Sequence, residues 1–269
     1  MPRKSASNPQ KVSGTKEWAE HNFNCFQGCS HDCVYCYARG MALRFRRVSS
    51  AAQWPKEQLR PKMLDKGWRK RRGRIMFPTT HDITPDNLRA CESVLVKMLE
   101  AGNEILIVSK PHLECIKRLC KTLTPFRGKV MFRFTIGLMD ERLRALWEPG
   151  APSFGERLAS LRHAYWAGFT TSVSCEPLLE PWNARKLVDR LSPFVTDSIW
   201  IGKINNLRRC VGWKLLEDHP DLLRLEEWQT DEKVREVAKG MKGLSLIKWK
   251  DSYKKVLGVK RPTKPGQDV

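Results

Sequence analysis

The chain is short of acid. Aspartate and glutamate total 29 against 49 lysines and arginines, which leaves a formal net charge of +20 over 269 residues. Such a surface attracts polyanions, and nucleic acid is the most abundant of these in a cytosol. Long apolar runs are missing too. None approaches the roughly 18 residues that a membrane-spanning helix needs, so no membrane partner is expected. The start of the chain, "MPRKSASNPQKVSGTK", has no apolar stretch of the signal-peptide kind. The expected localisation is cytoplasmic, where disulfides are disfavoured. There is no internal repeat. There is also no second C-x2-C pair, which a structural zinc site normally shows.

What is present is cysteine, nine residues of it. In a reducing compartment these serve metal binding, catalysis or burial. Three of them, Cys29, Cys33 and Cys36, stand in a C-x3-C-x2-C run within "CFQGCSHDCVYCYARG". Thiolates suit zinc, copper(I) or iron–sulfur clusters. Ferredoxin-type clusters want four cysteines. Three without an evident fourth suggest a cubane with one iron open to substrate or cofactor. His31 reads as a loop hydrogen-bonder, and Cys25, Cys91, Cys115 and Cys120 read as core. Cys175, at the end of an expected strand, reads as buried, with a thiol hydrogen donor as the alternative role.

The basic charge is concentrated. "PKMLDKGWRKRRGR", residues 61–74, carries Lys62, Lys66, Arg69, Lys70, Arg71, Arg72 and Arg74 against Asp65 alone. Contact with phosphates is one reading and a solvated loop is the other. Trp68 within it is a candidate for stacking on an exposed base. The end, "YKKVLGVKRPTKPGQDV", reads as a frayed basic tail.

Apolar runs alternate with helical stripes. "NFNCF" reads as a first strand, followed by a helix from about Tyr37 to Arg47. "RIMF", "EILIVS", "KVMFRFTIG", "FTTSVSCEP" and "SIWIGKI" read as further strands. Helices are expected from Thr84, as N-cap with Pro85 in the first turn, to Gly102, and from Pro111 to Leu123. Others are expected over 140–147, 155–167 and 183–191. After the strands come helices at about 208–217 and 230–240 and a strand at "LSLIKW". Six β/α units predict a parallel sheet covered by helices. The fold class is α/β, as a partial (β/α)6 barrel with a short helical C-terminal extension; an open doubly wound sheet is the alternative. The expected division is a basic N-terminal arm over 1–20, a core over 21–207, and an extension with its tail over 208–269. In such folds the site lies at the carboxyl ends of the strands. That selects Thr79, Thr80, His81 and Asp82, Ser109 and Lys110, Thr135, Ser174 and Glu176, and Lys203 and Asn205.

"CSHDCVYC" resembles the cluster-binding signature of the radical S-adenosylmethionine superfamily. A wider resemblance, over residues from about 25 to 205, is to its spore photoproduct lyase-like branch. It rests on "GCSHDCVYCYAR", "SK" after the third strand, "EPGAPSFGERLASLRHAYWAG" and "SCEPLLEP". It implies a radical SAM partial barrel with two cofactors, a [4Fe–4S] cluster on Cys29, Cys33 and Cys36 and S-adenosyl-L-methionine. Reductive cleavage of the latter yields a 5′-deoxyadenosyl radical. Tyr35 matches the position near the adenine. Where the superfamily often has Gly-Gly-Glu, this chain reads "PTTHD", so Thr79, Thr80 or Asp82 would supply the oxygens. Ser109 and Lys110 match polar cofactor contacts, and Lys110 could meet the methionine carboxylate. Lys110, Glu176 and His81 are the catalytic candidates. The resemblance also implies an electron donor such as flavodoxin or ferredoxin, and DNA or RNA as a substrate in lyase-like chemistry. The competing class is a non-enzymatic, metal-bearing nucleic-acid-binding protein.

Overall fold

The computed structural model describes residues 12–211 and 219–267. Its frame is one sheet of seven strands, all parallel: β1 (His21–Asn22), β4 (Arg74–Phe77), β5 (Glu104–Ser109), β6 (Val130–Thr135), β7 (Thr170–Cys175), β8 (Ile199–Ile201) and β9 (Ile247–Trp249). They lie side by side in chain order, and β1 and β9 stay as open edges. A short antiparallel pair, β2 (Phe26–Gln27) and β3 (Gln58–Leu59), stands apart. This is an α/β partial barrel, as expected. The first strand differs: "NFNCF" is split, because only residues 21–22 pair with β4, and Phe26 turns away to meet Leu59.

Alternating side chains divide each strand between two cores. Ile105 and Ile107 face the helices, with Phe132, Phe134, Val173 and Cys175. Leu106 and Val108 face the concave side with Met76 and Trp200. That side is filled by the segment just before β1. Its Trp18 is 4 % exposed, lies edge-on to Trp200 at 5.8 Å, and has the buried Arg133 guanidinium 4.8 Å above its ring. The described part of the expected basic arm is therefore an apolar plug.

The covering helices are α3 (Leu88–Glu100), α4 (Leu113–Leu123), α5 (Glu141–Trp147), α6 (Phe154–Trp166) and α7 (Ala184–Leu191). The helix expected from Thr84 starts at Leu88, because the Thr84 hydroxyl is drawn to Glu57 (3.1 Å) and caps nothing. α1 (Tyr37–Arg44) is a turn shorter than expected, and α2 is Pro61–Leu64. Beyond β8, α8 (Leu207–Val211) begins the helix expected over 208–217, whose remainder lies outside the described residues. α9 (Pro220–Glu227) and α11 (Asp251–Leu257) are additional, and α10 (Asp231–Gly240) is as expected. The sheet runs on past residue 207, since β9 pairs with β8. The tail expected to fray is docked instead. Tyr253 stacks on Trp249 at 5.3 Å, Arg261 bonds Asp251 at 2.6 Å, and the Gly266 amide reaches the Lys16 carbonyl. No helix among the described residues is long and apolar enough to cross a membrane.

Candidate active site

The cysteine loop runs from the two-stranded ribbon to α1, at the carboxyl ends of β4 to β6. It is held by tight backbone contacts. Gly28 adopts φ +90°, and a Cβ there would lie 2.7 Å from the Trp54 and Lys56 carbonyl oxygens. Gly150, in the "EPGAPS" loop, donates to the His31 carbonyl, and a Cβ on it would lie 2.2 Å from the Ser30 oxygen. Arg39 of α1 reaches back to Asp32 (2.8 Å) and the Val34 carbonyl (2.9 Å). Cys29 and Cys33 are buried and Cys36 is half-buried; all three are free thiols. Burial pushes each up from its usual value, Cys33 to about 12.

Asp82 is the hub behind this loop. Its Oδ1 accepts from the Lys110 amide (2.8 Å) and the Ser109 hydroxyl (3.1 Å). Its Oδ2 accepts from His31 Nδ1 (2.8 Å) and Lys110 Nζ (3.2 Å), and lies 3.8 Å from Cys29 Sγ. Burial would raise this carboxyl, but Lys110 and then His31 hold it well below the carboxylate range. Burial works against the Lys110 ammonium, yet Asp82, then Cys33 and Tyr35, keep its pKa well above the ordinary lysine value. His31 Nε2 is 2.9 Å from His112 Nε2.

A second buried group supports the loop from the segment between α5 and α6. Tyr35 donates to Glu148 Oε1, and Glu148 Oε2 pairs with Arg157 Nη2 at 2.5 Å. Arg157 also binds the Pro152 carbonyl at 2.8 Å, anchoring the "EPGAPS" loop to α6. Burial would raise Glu148, but Arg157 and Lys110 lower it.

The structure thus gathers Cys29, Cys33, Cys36, Tyr35, Ser109 and Lys110 around Asp82 and Glu148. Their placement departs from the sequence reading in several ways. The Ser109 hydroxyl points at Asp82 and the Ile83 amide, so it is a brace and not an open contact. Tyr35 directs its hydroxyl inward, with Lys110 Nζ 5.8 Å from its ring centre. The Thr79 hydroxyl accepts from Asn24 (2.7 Å), whose carbonyl also takes the Thr79 and Thr80 amides. His81, a catalytic candidate, lies away from this group. It packs edge-on to Phe26 and Phe77 and close to Cys25 and Cys91. Glu176 is ion-paired with Lys250 (3.2 Å), which Glu17 holds at 2.8 Å. Burial raises Glu176, against Lys250. Cys175 is fully buried on the helix side, where burial pushes it up to about 12.

Glu148, His112, Glu57 and Lys250 were not selected from the sequence. Glu57 accepts from the Ser30 amide (3.0 Å) and from Asn87 (2.8 Å), tying the loop to the start of α3. "PHL" after β5 was the available signal, since it follows a strand whose end carries the site; "EP" follows a helix, α5, and gave none.

No protein-family model matches the chain. An uncharacterised protein of Acidianus two-tailed virus, ORF301, is 28% identical over 170 residues, which are 59% of this chain and 56% of the viral one. The match thus spans little more than half of that relative. Among solved structures, spore photoproduct lyase complexed with dinucleoside spore photoproduct superposes with a TM-score of 0.58 at 17% identity, over 91% of this chain and 79% of that one. A point mutant of the same enzyme gives 0.56, again at 17% identity, over 90% and 79%. Agreement over that share of the chain identifies the architecture as the fold that spore photoproduct lyase has.

Proposed function

We propose that the chain is a radical SAM enzyme acting on nucleic acid. The observation that carries this reading is the cysteine loop itself: three free thiols in one loop at the carboxyl end of the sheet, beside the mostly buried Lys110. The donors are all soft and number three, which fits a [4Fe–4S] cluster with one iron left open. When bound there, the cluster supplies the electron that cleaves S-adenosylmethionine and releases a 5′-deoxyadenosyl radical. Cys29, Cys33 and Cys36 would hold it. Lys110 offsets the negative charge of the thiolates and is the candidate partner for the methionine carboxylate. Asp82 fixes Lys110 and, through His31, the loop. Tyr35, Glu148 and Arg157 back the loop and exclude water from beneath it.

Two features support a nucleic-acid substrate. One is the net charge of +20. The other is α1, which leaves the cysteine loop with an apolar stripe facing solvent: Tyr37, Met41 and Phe45 are 53 %, 41 % and 56 % exposed. The Arg44 and Arg47 guanidinium carbons lie 5.6 and 5.5 Å from the Phe45 ring centre. Aromatic faces among arginines suit bases and phosphates. The solved relative is a lyase complexed with a dinucleoside photoproduct. A low-potential flavodoxin or ferredoxin would supply the electron, in a reducing cytoplasm.

The test is anaerobic. Purified protein should be brown, with broad absorbance near about 400 nm. S-adenosylmethionine should change the resonance spectrum of the reduced cluster, and reductant should then release 5′-deoxyadenosine. Cys29→Ala, Cys33→Ala and Cys36→Ala should each lose the iron. Colourless protein, or iron retained in all three variants, sinks the reading.

A further inference from the structure

Behind the cysteine loop, on the helix side of the sheet, is a second group of donors that the proposed reaction does not use. Cys25 leads into the loop, His81 follows β4, and Cys91 lies on α3. One ligand atom of each falls within 4.8 Å of the other two, and all three residues are buried. Cys25 and Cys91 are 0% exposed and His81 5%.

We infer that Cys25, His81 and Cys91 form a structural zinc site, separate from the cluster loop. Four observations support the assignment. The two sulfurs are 3.8 Å apart. Two thiolates at about 2.3 Å from a tetrahedral zinc stand about 3.8 Å from each other. A disulfide needs about 2 Å, so the pair is set at a metal-edge distance and not at a bonding one. Second, His81 Nδ1 lies 2.9 Å from the Asp82 carbonyl oxygen. A carbonyl only accepts, so Nδ1 carries the proton and the lone pair is on Nε2. Metal-binding histidines are fixed in this way by a backbone carbonyl on the other nitrogen. Third, Nε2 is buried and makes no hydrogen bond among the described residues. A buried acceptor without a partner marks a place where a ligand belongs. Fourth, two thiolates, one neutral imidazole and a divalent ion sum to zero charge, which an apolar interior tolerates. Asn87 Oδ1, 3.3 Å from Cys91 Sγ, is the candidate for the fourth position, because the proton it accepts from that thiol leaves when the metal binds.

The site would join the entry of the cysteine loop to β4 and α3. All three donors are buried, so its role is structural. Its ion is separate from the iron of the loop, and the proposed reaction can fail without affecting it.

The test is a metal count on the full chain, purified anaerobically with both iron and zinc supplied. Wild type should hold one zinc per chain in addition to iron. Cys29→Ala should lose the iron and keep the zinc. Cys25→Ala and Cys91→Ala should do the reverse. Because both of those positions are in the core, a second measurement leaves them intact. With Cys29, Cys33 and Cys36 all changed to Ser, added cobalt(II) should still give a thiolate-to-cobalt charge-transfer band in the near ultraviolet. Zinc that disappears with Cys29→Ala, no cobalt band in the triple variant, or a mass lighter by two hydrogens from a Cys25–Cys91 disulfide would each overturn the site.

Discussion

Glu148 is a carboxylate 1% exposed, and among the described residues Arg157 is its cation contact at hydrogen-bonding distance. Removing one partner of such a pair leaves a bare charge in low dielectric. Arg157→Ala is expected to destabilise the protein by roughly 3–5 kcal/mol in urea unfolding. Replacing both residues by apolar ones of similar volume should cost far less. A loss under about 1 kcal/mol in the single variant would show that the pair is already solvated. Gly150→Ala is a milder probe of the same corner. Its Cβ would lie 2.2 Å from the Ser30 oxygen, so the cysteine loop must move. Iron per chain should fall while far-ultraviolet circular dichroism stays unchanged; full iron loading would mean that the loop shifts freely. Composition could not have identified Glu148, since a glutamate before a proline looks like any loop acid until the fold brings Tyr35 and Arg157 to it.

Between elements, the clearest polar link is from α4 to α3. Arg118 Nε and Nη2 bond Glu92 Oε2 at 2.9 and 2.6 Å, and Thr122 bonds Oε1 at 2.6 Å. The hydrogen bond from Arg118, chiefly, lowers the Glu92 carboxyl from its usual value. A lowered folded pKa gives stability that is complete above the unfolded value, about 4.3, and is lost as pH falls through the folded one. Arg118 is half exposed, so solvent screening keeps the link weak. Glu92→Gln should show a small deficit at neutral pH and none in the acid limb. An equal deficit at both would assign the loss to packing. On α1, Phe45→Ala should weaken single-stranded DNA binding by roughly 1–3 kcal/mol if a base stacks there. Unchanged affinity would remove α1 from the interface. Strands β4 to β8 were legible because each is a short apolar run between turns. The start of α3 was not, because whether Thr84 caps depends on where Glu57 lies. The helices Pro220–Glu227 and Asp251–Leu257 gave no separate signal, since each buries only one side of a short polar segment.

Over the whole molecule, residues 69–72 of the basic stretch lie at the amino ends of the strands, at the opposite end of the sheet from the cysteine loop. Arg71 donates its amide to Asn103 (2.9 Å) and the Arg69 carbonyl accepts from Asn103, just before β5. The side chains of Arg69, Lys70, Arg71 and Arg72 are exposed. Changing all four to Ala should make the slope of log affinity against log salt shallower by up to roughly 3–4 units. Cofactor cleavage without substrate should not change. An unchanged slope would leave the stretch a solvated loop. Trp68, the stacking candidate, lies edge-on to Phe23 at 4.6 Å and packs part of its surface on the core.

The parallel α/β architecture, the place of the site at the carboxyl ends of the strands, and the cysteine triad all follow from local pattern. Each depends on residues near one another in the chain, whose spacing carries the information. Asp82, His31 and Lys110 show the limit. They come from three segments, and only their packing turns three polar residues into one hub. His81 packs against Phe26 and Phe77, near Cys25 and Cys91, a placement that its neighbours in sequence did not indicate. The plug of Trp18, the docked tail and the Glu17–Lys250–Glu176 chain were likewise decided by tertiary structure. An open sheet must cover its concave face, and which segment does so depends on shape and charge across the whole fold.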